Sequence, residues 1–221
     1  MSVSLSAVTF GLLLFLSVGL NKQAAEGCTC KPEHPQELFC RSQIVIQAEI
    51  IGQHNIKQNH IFPDWGLIQY EFKTIQVFKG LEKINGINYV YTPKQSGTCG
   101  VSLHNGQYLL SGHIVNRGLV VTMCDFNYFW NMLPLTQKDN LNGRYQMGCN
   151  CTVSVCYKKA CCLMSQRECP WTDSKDYVFV QDGEQAREFA CIMNNEKTCS
   201  WYKGNVKVDT MEMCKSYGPR A

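Results

Sequence analysis

The stretch Leu67-Ile-Gln-Tyr-Glu-Phe-Lys-Thr-Ile-Gln-Val-Phe78 decides the fold. Its apolar residues fall on one parity at Ile68, Tyr70 and Phe72 and on the other at Ile75 and Val77, as in a half-buried strand whose inward face changes partway along. The switch at Lys73-Thr74 predicts a β-bulge, and a bulge bends a strand as closure of a small barrel requires. Upstream, Ile44–Ile51 (IVIQAEII) is a β-branched run of strand length. Downstream, Ile87–Thr92 alternates at Ile87, Tyr89 and Tyr91, and Tyr108–Ser111 and Leu119–Met123 follow glycine-containing turns. Five strands, one bulged and none in a βαβ rhythm, predict a mainly β chain built on a small barrel. Helices are few: Pro35–Cys40 predicts one short segment behind His34, and Thr136-Gln-Lys-Asp139 resembles a capping box opening a helix toward Tyr145.

Past Cys149 the character changes, because nine of the fourteen cysteines lie at or after that point and periodic strands thin out. A second, small, disulfide-held domain is expected from about residue 150, ending in a polar, loosely held tail, Asn205–Ala221. Trp171 and Trp201, each within two residues of a cysteine, are expected to pack beside disulfides.

Composition excludes several functions. With 45% hydrophobic and 11% aromatic residues the 221-residue chain is neither disordered nor collagen-like, and a spread-out net charge of +3 gives no basic patch for nucleic acid. The long apolar stretch, Val8–Leu20, is short for a membrane span and reads as a secretory signal, although Met1–Thr9 carries no Lys or Arg. Ala25-Glu26-Gly27 then sets small residues at −3 and −1 of a cut before Cys28, so residues 1–27 read as signal peptide. An oxidising compartment turns the cysteines toward disulfides, and no C-x-x-C spells a zinc ribbon or redox dithiol. Which cysteine joins which is open at this level. Nor does the sequence contain H-E-x-x-H, G-x-S-x-G or a phosphate-binding glycine loop, so no catalytic residues and no enzyme are encoded. Asn150-Cys151-Thr152 is a glycosylation sequon.

The segments Cys28-Thr-Cys-Lys-Pro-Glu-His34-Pro-Gln36, Phe39-Cys40, Cys99-Gly-Val-Ser-Leu103, Cys124-Asp-Phe126, Arg144-Tyr-Gln-Met-Gly-Cys149, Glu168-Cys169, Trp171-Thr-Asp173, Ala190-Cys-Ile192 and Cys199-Ser-Trp-Tyr202 resemble the tissue inhibitors of metalloproteinases. The resemblance runs in register from Cys28 to about Gly204, and Cys99–Leu103 and Arg144–Cys149 look most like the family's second member. It implies an N-terminal OB-fold (netrin-like) five-stranded barrel with short helices over 28–149, and a small disulfide-rich C-terminal domain over 150–221. Implied bridges are Cys28–Cys99, Cys30–Cys124, Cys40–Cys149, Cys151–Cys199, Cys156–Cys161 and Cys169–Cys191, with Cys162 and Cys214 left to form an extra pair.

The implied function is a secreted, extracellular inhibitor of zinc metalloendopeptidases, chiefly matrix metalloproteinases. It would act as a monomer in 1:1 complexes, without a cofactor of its own. A catalytic zinc keeps one coordination position open, and an N-terminal residue can close a five-membered chelate on it through its amine and its carbonyl oxygen. Mature Cys28 would supply both, with its sulfur held in the bridge. By resemblance Thr29 would enter the main specificity pocket, Cys30, Lys31 and Pro32 would run on as a substrate-like strand, and Ser96, Gly97, Thr98 and Cys99 would cover the other side of the cleft. Ile61 and Phe62 resemble the tip of a long hairpin that touches some partners. Lys31 and Thr98 stand where the family usually has small or apolar residues, and the second member's acidic tail is replaced by residues that include Lys207, Lys215 and Arg220. A non-catalytic netrin-like module that binds matrix or cell-surface receptors is the alternative reading.

Overall fold

The computed structural model describes residues 27–56, 66–156, 164–174 and 183–208. Ile61, Phe62, Cys161, Cys162, Cys214 and the leader up to Glu26 lie outside the described residues.

Strand β1 (Ile44–Ile56) pairs with β2 (Leu67–Lys79), β2 with β3 (Tyr89–Pro93), β3 with β5 (Gly118–Val120) and β5 with β4 (Gly106–Val115), and β4 returns to β1. The result is a closed five-stranded barrel of OB type, antiparallel except for the parallel β3–β5 contact. A short β6 (Asn127–Phe129) extends β4. Closure needs strongly bent strands, and β2 opposes β1 with one unpaired residue at Ile75 and another at Phe78. The parity change read from the sequence is therefore a bulge, centred one residue beyond Lys73-Thr74. Tyr70 and Phe72 point into the barrel before it and Val77 packs against the same core after it. Ile75, expected inward, is the bulged residue itself and is 46% exposed.

The unbroken run Ile44–Ile50 follows from burial on both faces. Ile44, Ile46, Ala48 and Ile50 fill the barrel, while Val45 joins Leu38, Phe39, Leu109, Phe126, Leu141 and Tyr145 in a second cluster outside it. That outer cluster is roofed by the helix Pro35–Arg41 and by the helical stretch from Leu135 to Met147. The expected capping box at Thr136 does not form: the helix starts at Leu135 behind Pro134, and the Thr136 hydroxyl donates to the Arg187 carbonyl instead.

Beyond Cys149, β7 (Thr152–Val155) pairs in parallel with β8 (Glu168–Trp171). Antiparallel β9 (Phe189–Met193), β10 (Cys199–Lys203) and β11 (Val206–Val208) form a three-stranded sheet. Within the stretch expected as a loose tail, Val206–Val208 is instead a paired strand, and residues 209–221 lie outside the described residues. Trp171 and Trp201 are fully buried with Phe189, Ala186 and the bridges Cys151–Cys199 and Cys169–Cys191. Burying two tryptophans beside covalent cross-links is how so few residues sustain a core.

The two parts meet at the first residues of the helix. His34 caps it, accepting from the Gln36 N–H at Nδ1 and donating from Nε2 to the Gln185 carbonyl at 3.0 Å, which fixes a neutral tautomer. Gln36 donates to the carbonyls of Gly148 and Cys191 and accepts from the Cys191 N–H, while Glu37 accepts from the Val153 N–H. Gly148 allows this approach, since a Cβ there would lie 1.9 Å from the Cys191 oxygen.

Candidate functional site

Residues 28–32 carry no regular secondary structure and lie along the barrel rim: Thr29 and Lys31 are exposed, Cys28, Cys30 and Pro32 half-buried. An extended segment that buries so little of itself needs other anchors, and two disulfides supply them. Cys28 joins Cys99 and Cys30 joins Cys124, with Cα separations of 5.1 and 5.3 Å. The sulfurs of Cys28, Cys99 and Cys124 lie within 4.8 Å of one another, so the two bridges are packed side by side. Both close long loops, of 71 and 94 residues, worth about 4–5 kcal/mol each in the chain-entropy account. Cys40–Cys149, Cys151–Cys199 and Cys169–Cys191 complete the bridges among the described residues, and all five are pairs implied by the resemblance. Cys156 is disulfide-bonded as well.

The partner loop is equally constrained. After β3 the chain makes a 3-10 turn, Ser96–Thr98, closed by the Cys99 N–H on the Ser96 carbonyl at 3.0 Å and by the Thr98 hydroxyl on the Gln95 carbonyl at 2.8 Å. Cys99 is left-handed (φ 65°), and Gly100 returns so close to β3 that a Cβ would lie 1.9 Å from the Pro93 oxygen. The Met123 N–H donates to the Cys99 carbonyl, knitting this loop to the one carrying Cys124. Ser96 and Gly97 are exposed, and Thr98 is half-buried. The structure therefore brings together two of the three groups of residues singled out in the sequence, 28–32 and 96–99, as one exposed ridge. The third, Ile61 and Phe62, lies outside the described residues.

Arg41 escapes a sequence reading. Its guanidinium donates to the Glu33 carboxylate at 2.7 Å, to Asp125 at 3.0 Å and to the Cys124 carbonyl. Asp125 in turn accepts from the Thr122 N–H and hydroxyl. Glu33 and Arg41 are eight residues apart, outside the three- and four-residue spacings that flag a helical ion pair, so no local pattern signals the contact. His34 is the other residue whose role only the fold discloses. It lies 5.4 and 5.1 Å from the rings of Trp171 and Trp201, and burial pulls its pKa down to about 4, partly offset by its bond to the Gln185 carbonyl.

Asn150 is exposed in the turn before β7, while Cys151 beside it is buried in its bridge. No helix among the described residues is long and apolar enough to cross a membrane.

Residues 26–201 match the family model described as tissue inhibitor of metalloproteinase. Metalloproteinase inhibitor 3 of Scyliorhinus torazame is 36% identical over 207 residues, covering 92% of this chain and 94% of that protein. Metalloproteinase inhibitor 2 of Homo sapiens is 39% identical over 203 residues, covering 89% of this chain and 90% of that protein. Metalloproteinase inhibitor 3 of Gallus gallus is 37% identical over 196 residues, covering 87% and 90%. A closed barrel with a doubly bridged rim, matched over most of its length by these relatives, belongs to the tissue inhibitor of metalloproteinase family, a family of inhibitors and not of enzymes.

Proposed function

We propose that this chain is secreted and inhibits zinc metalloendopeptidases, matrix metalloproteinases among them, by placing the amine and carbonyl of mature Cys28 on the open position of the proteinase's catalytic zinc. The observation that carries this reading is the exposed ridge of residues 28–32 and 96–99, pinned by Cys28–Cys99 and Cys30–Cys124. In the full-length chain the Cys28 nitrogen is a peptide amide, which cannot serve as an amine ligand. Cleavage after Gly27 creates the ligand and leaves an inhibitory domain over 28–149 and a C-terminal domain over 150–221. The sulfur of Cys28 is engaged with Cys99, so the metal meets only main-chain atoms of this chain. Thr29 then projects into the specificity pocket, Cys30, Lys31 and Pro32 follow the path of a substrate, and Ser96, Gly97 and Thr98 close over the far side.

Rigidity supports the reading energetically. A loop ordered only on binding forfeits about 0.5–1.5 kcal/mol for each flexible side chain, and two bridges on three residues remove most of that cost beforehand. Binding also requires the amine to lose its proton. An α-amine titrates at about 7.7–8, so association should weaken on acidification once the proteinase's own pH dependence is subtracted. The deciding experiment is titration of protein verified to begin at Cys28 against a panel of matrix metalloproteinase catalytic domains. Tight 1:1 inhibition of at least one is expected; failure against all of them overturns the reading in favour of a matrix- or receptor-binding module. Asn150 is exposed in a sequon whose middle residue, Cys151, is bridged to Cys199, and its occupancy is read as a mass shift that glycosidase treatment removes.

A further inference from the structure

We infer that Arg41 is a positioning residue for the inhibitory ridge, acting through Glu33 as a third, non-covalent anchor beside the two disulfides. The inference rests on the proposed role of residues 28–32 and specifies how this chain holds them in register. The bridges fix Cys28 and Cys30, and the next strong anchor is His34, buried against Gln185. Between these points lie Lys31, Pro32 and Glu33. Among the described residues, the side-chain hydrogen bond in this interval is the one Glu33 accepts from Arg41 at 2.7 Å.

The geometry of Arg41 suits that task. It is the last residue of the helix Pro35–Arg41, and side chains on a helix lean toward its N-terminus, so the guanidinium reaches back toward Glu33. The planar group serves three acceptors at once: the Glu33 carboxylate, the Asp125 carboxylate and the Cys124 carbonyl. Cys124 is the residue to which Cys30 is bridged. Arg41 therefore joins the far end of the ridge to the loop that already holds its middle, and closes a loop of contacts from Cys30 through Cys124, Arg41 and Glu33 back to Pro32. Asp125 is 5% exposed and its second oxygen is occupied by Thr122, so the base of this clamp is fixed. A lysine ammonium brings its donors to a single point, whereas the planar fork of the guanidinium spreads them across all three acceptors.

The exposed end of the clamp adds little to global stability. The side chains of Glu33 and Arg41 are 25% and 34% exposed, and ion pairs of this kind contribute little to folding. Their consequence is local: with Glu33 released, residues 31–33 sample directions that do not follow a proteinase cleft, and association must reorder them.

The test uses Glu33→Gln, which leaves the Arg41 contacts to Asp125 and Cys124 in place, together with Arg41→Gln, Arg41→Lys and the Glu33→Gln/Arg41→Gln double variant. All are made as mature protein beginning at Cys28. Two readings are taken: the inhibition constant against one matrix metalloproteinase catalytic domain, and the NMR backbone order parameters of Cys30, Lys31 and Glu33 in the free inhibitor. Glu33→Gln is expected to raise the inhibition constant about threefold to fivefold and to lower the ridge order parameters while those of the barrel stay as they are. The double variant should be no worse than Arg41→Gln alone, and Arg41→Lys should fall between wild type and Arg41→Gln. Unchanged ridge order parameters in Glu33→Gln overturn the inference; weaker inhibition in that case would mean that Glu33 touches the proteinase directly. Lower order parameters with an unchanged inhibition constant overturn it too. If the wild-type protein inhibits no proteinase, the functional reading has failed, and the order parameters still decide whether the clamp orders the ridge.

Discussion

Two adjacent pieces of one short stretch, Cys28–Pro32 and His34–Arg41, are held by different physics. The first alternates exposed and half-buried residues, has no regular structure, and is fixed by covalent bonds to Cys99 and Cys124. The second is a helix buried on most of its length, with His34, Gln36, Leu38 and Phe39 each 2% exposed or less, and it is fixed by hydrogen bonds and packing between the barrel and strands β7–β10. A segment that must offer its surface to another protein cannot also bury that surface in its own core, so cross-links replace burial. A segment that joins two small cores can bury everything, provided each polar atom finds a partner. Damage to the ridge should therefore cost binding and leave folding intact, whereas damage to the buried face of the helix should cost folding first.

The sharpest break is a single residue. Mature protein extended by one residue, with Gly27 left ahead of Cys28, keeps every bridge and every buried contact but moves the free amine from Cys28 to Gly27 and leaves an amide nitrogen at Cys28. Its inhibition of a matrix metalloproteinase should fall about a thousandfold, roughly 4 kcal/mol, with a melting temperature within error of the unextended form. Comparable potency of the two forms, measured by titration against active enzyme, would remove the amine from the mechanism. On the helix side the strongest break is Gly148→Ala. The new Cβ would lie 1.9 Å from the Cys191 oxygen and 2.3 Å from the Gln36 amide nitrogen, so the junction must open and Gln36 loses partners. About 3 kcal/mol of stability should be lost in chemical denaturation with disulfides intact, while the inhibition constant of the remaining folded protein changes little.

The same contrast decides how much was legible in the sequence. The barrel was readable because its signal is local: parity along Leu67–Phe78 and the two-sided run Ile44–Ile51 need only neighbouring residues. The parity argument erred at Ile75, since a bulged residue obeys neither face. Strands β7 to β11 are three to five residues long, too short for any period to emerge, and their core comes from Trp171, Trp201 and cystines brought together from distant positions. The ridge was legible only through family resemblance, because Cys28-Thr29-Cys30 carries no residue type that announces a metal chelate. The junction was hidden for a third reason. His34 and Gln36 look like ordinary polar residues, and their partners lie 112 to 155 positions away.

The smallest effect expected from this comparison is carried by His34. Its imidazole is enclosed by the rings of Tyr145, Trp171 and Trp201, donates to the Gln185 carbonyl, and meets one nearby charge, Asp173. Burial pulls its pKa from an ordinary 6.5 to about 4, with the Gln185 bond and the Asp173 charge opposing only in part. In this window the unfolded chain binds a proton that the folded protein refuses. The stability contributed by the neutral ring is thus complete above pH 6.5, drains away as pH falls, and is exhausted near pH 4. The shift bounds the loss at about 3 kcal/mol. Glu37 on the same helix, half-buried, has its carboxyl pushed upward by burial and works in the opposite sense, so the wild-type curve alone will understate the histidine. His34→Asn keeps a side-chain acceptor for the helix cap and removes the titration. Urea denaturation of both proteins between pH 7.5 and 4, disulfides intact, should show the wild type losing its advantage over His34→Asn as pH falls through 6.5. Parallel curves would mean that the junction opens to water in the folded protein, and that the buried half of this stretch is less sealed than its packing implies.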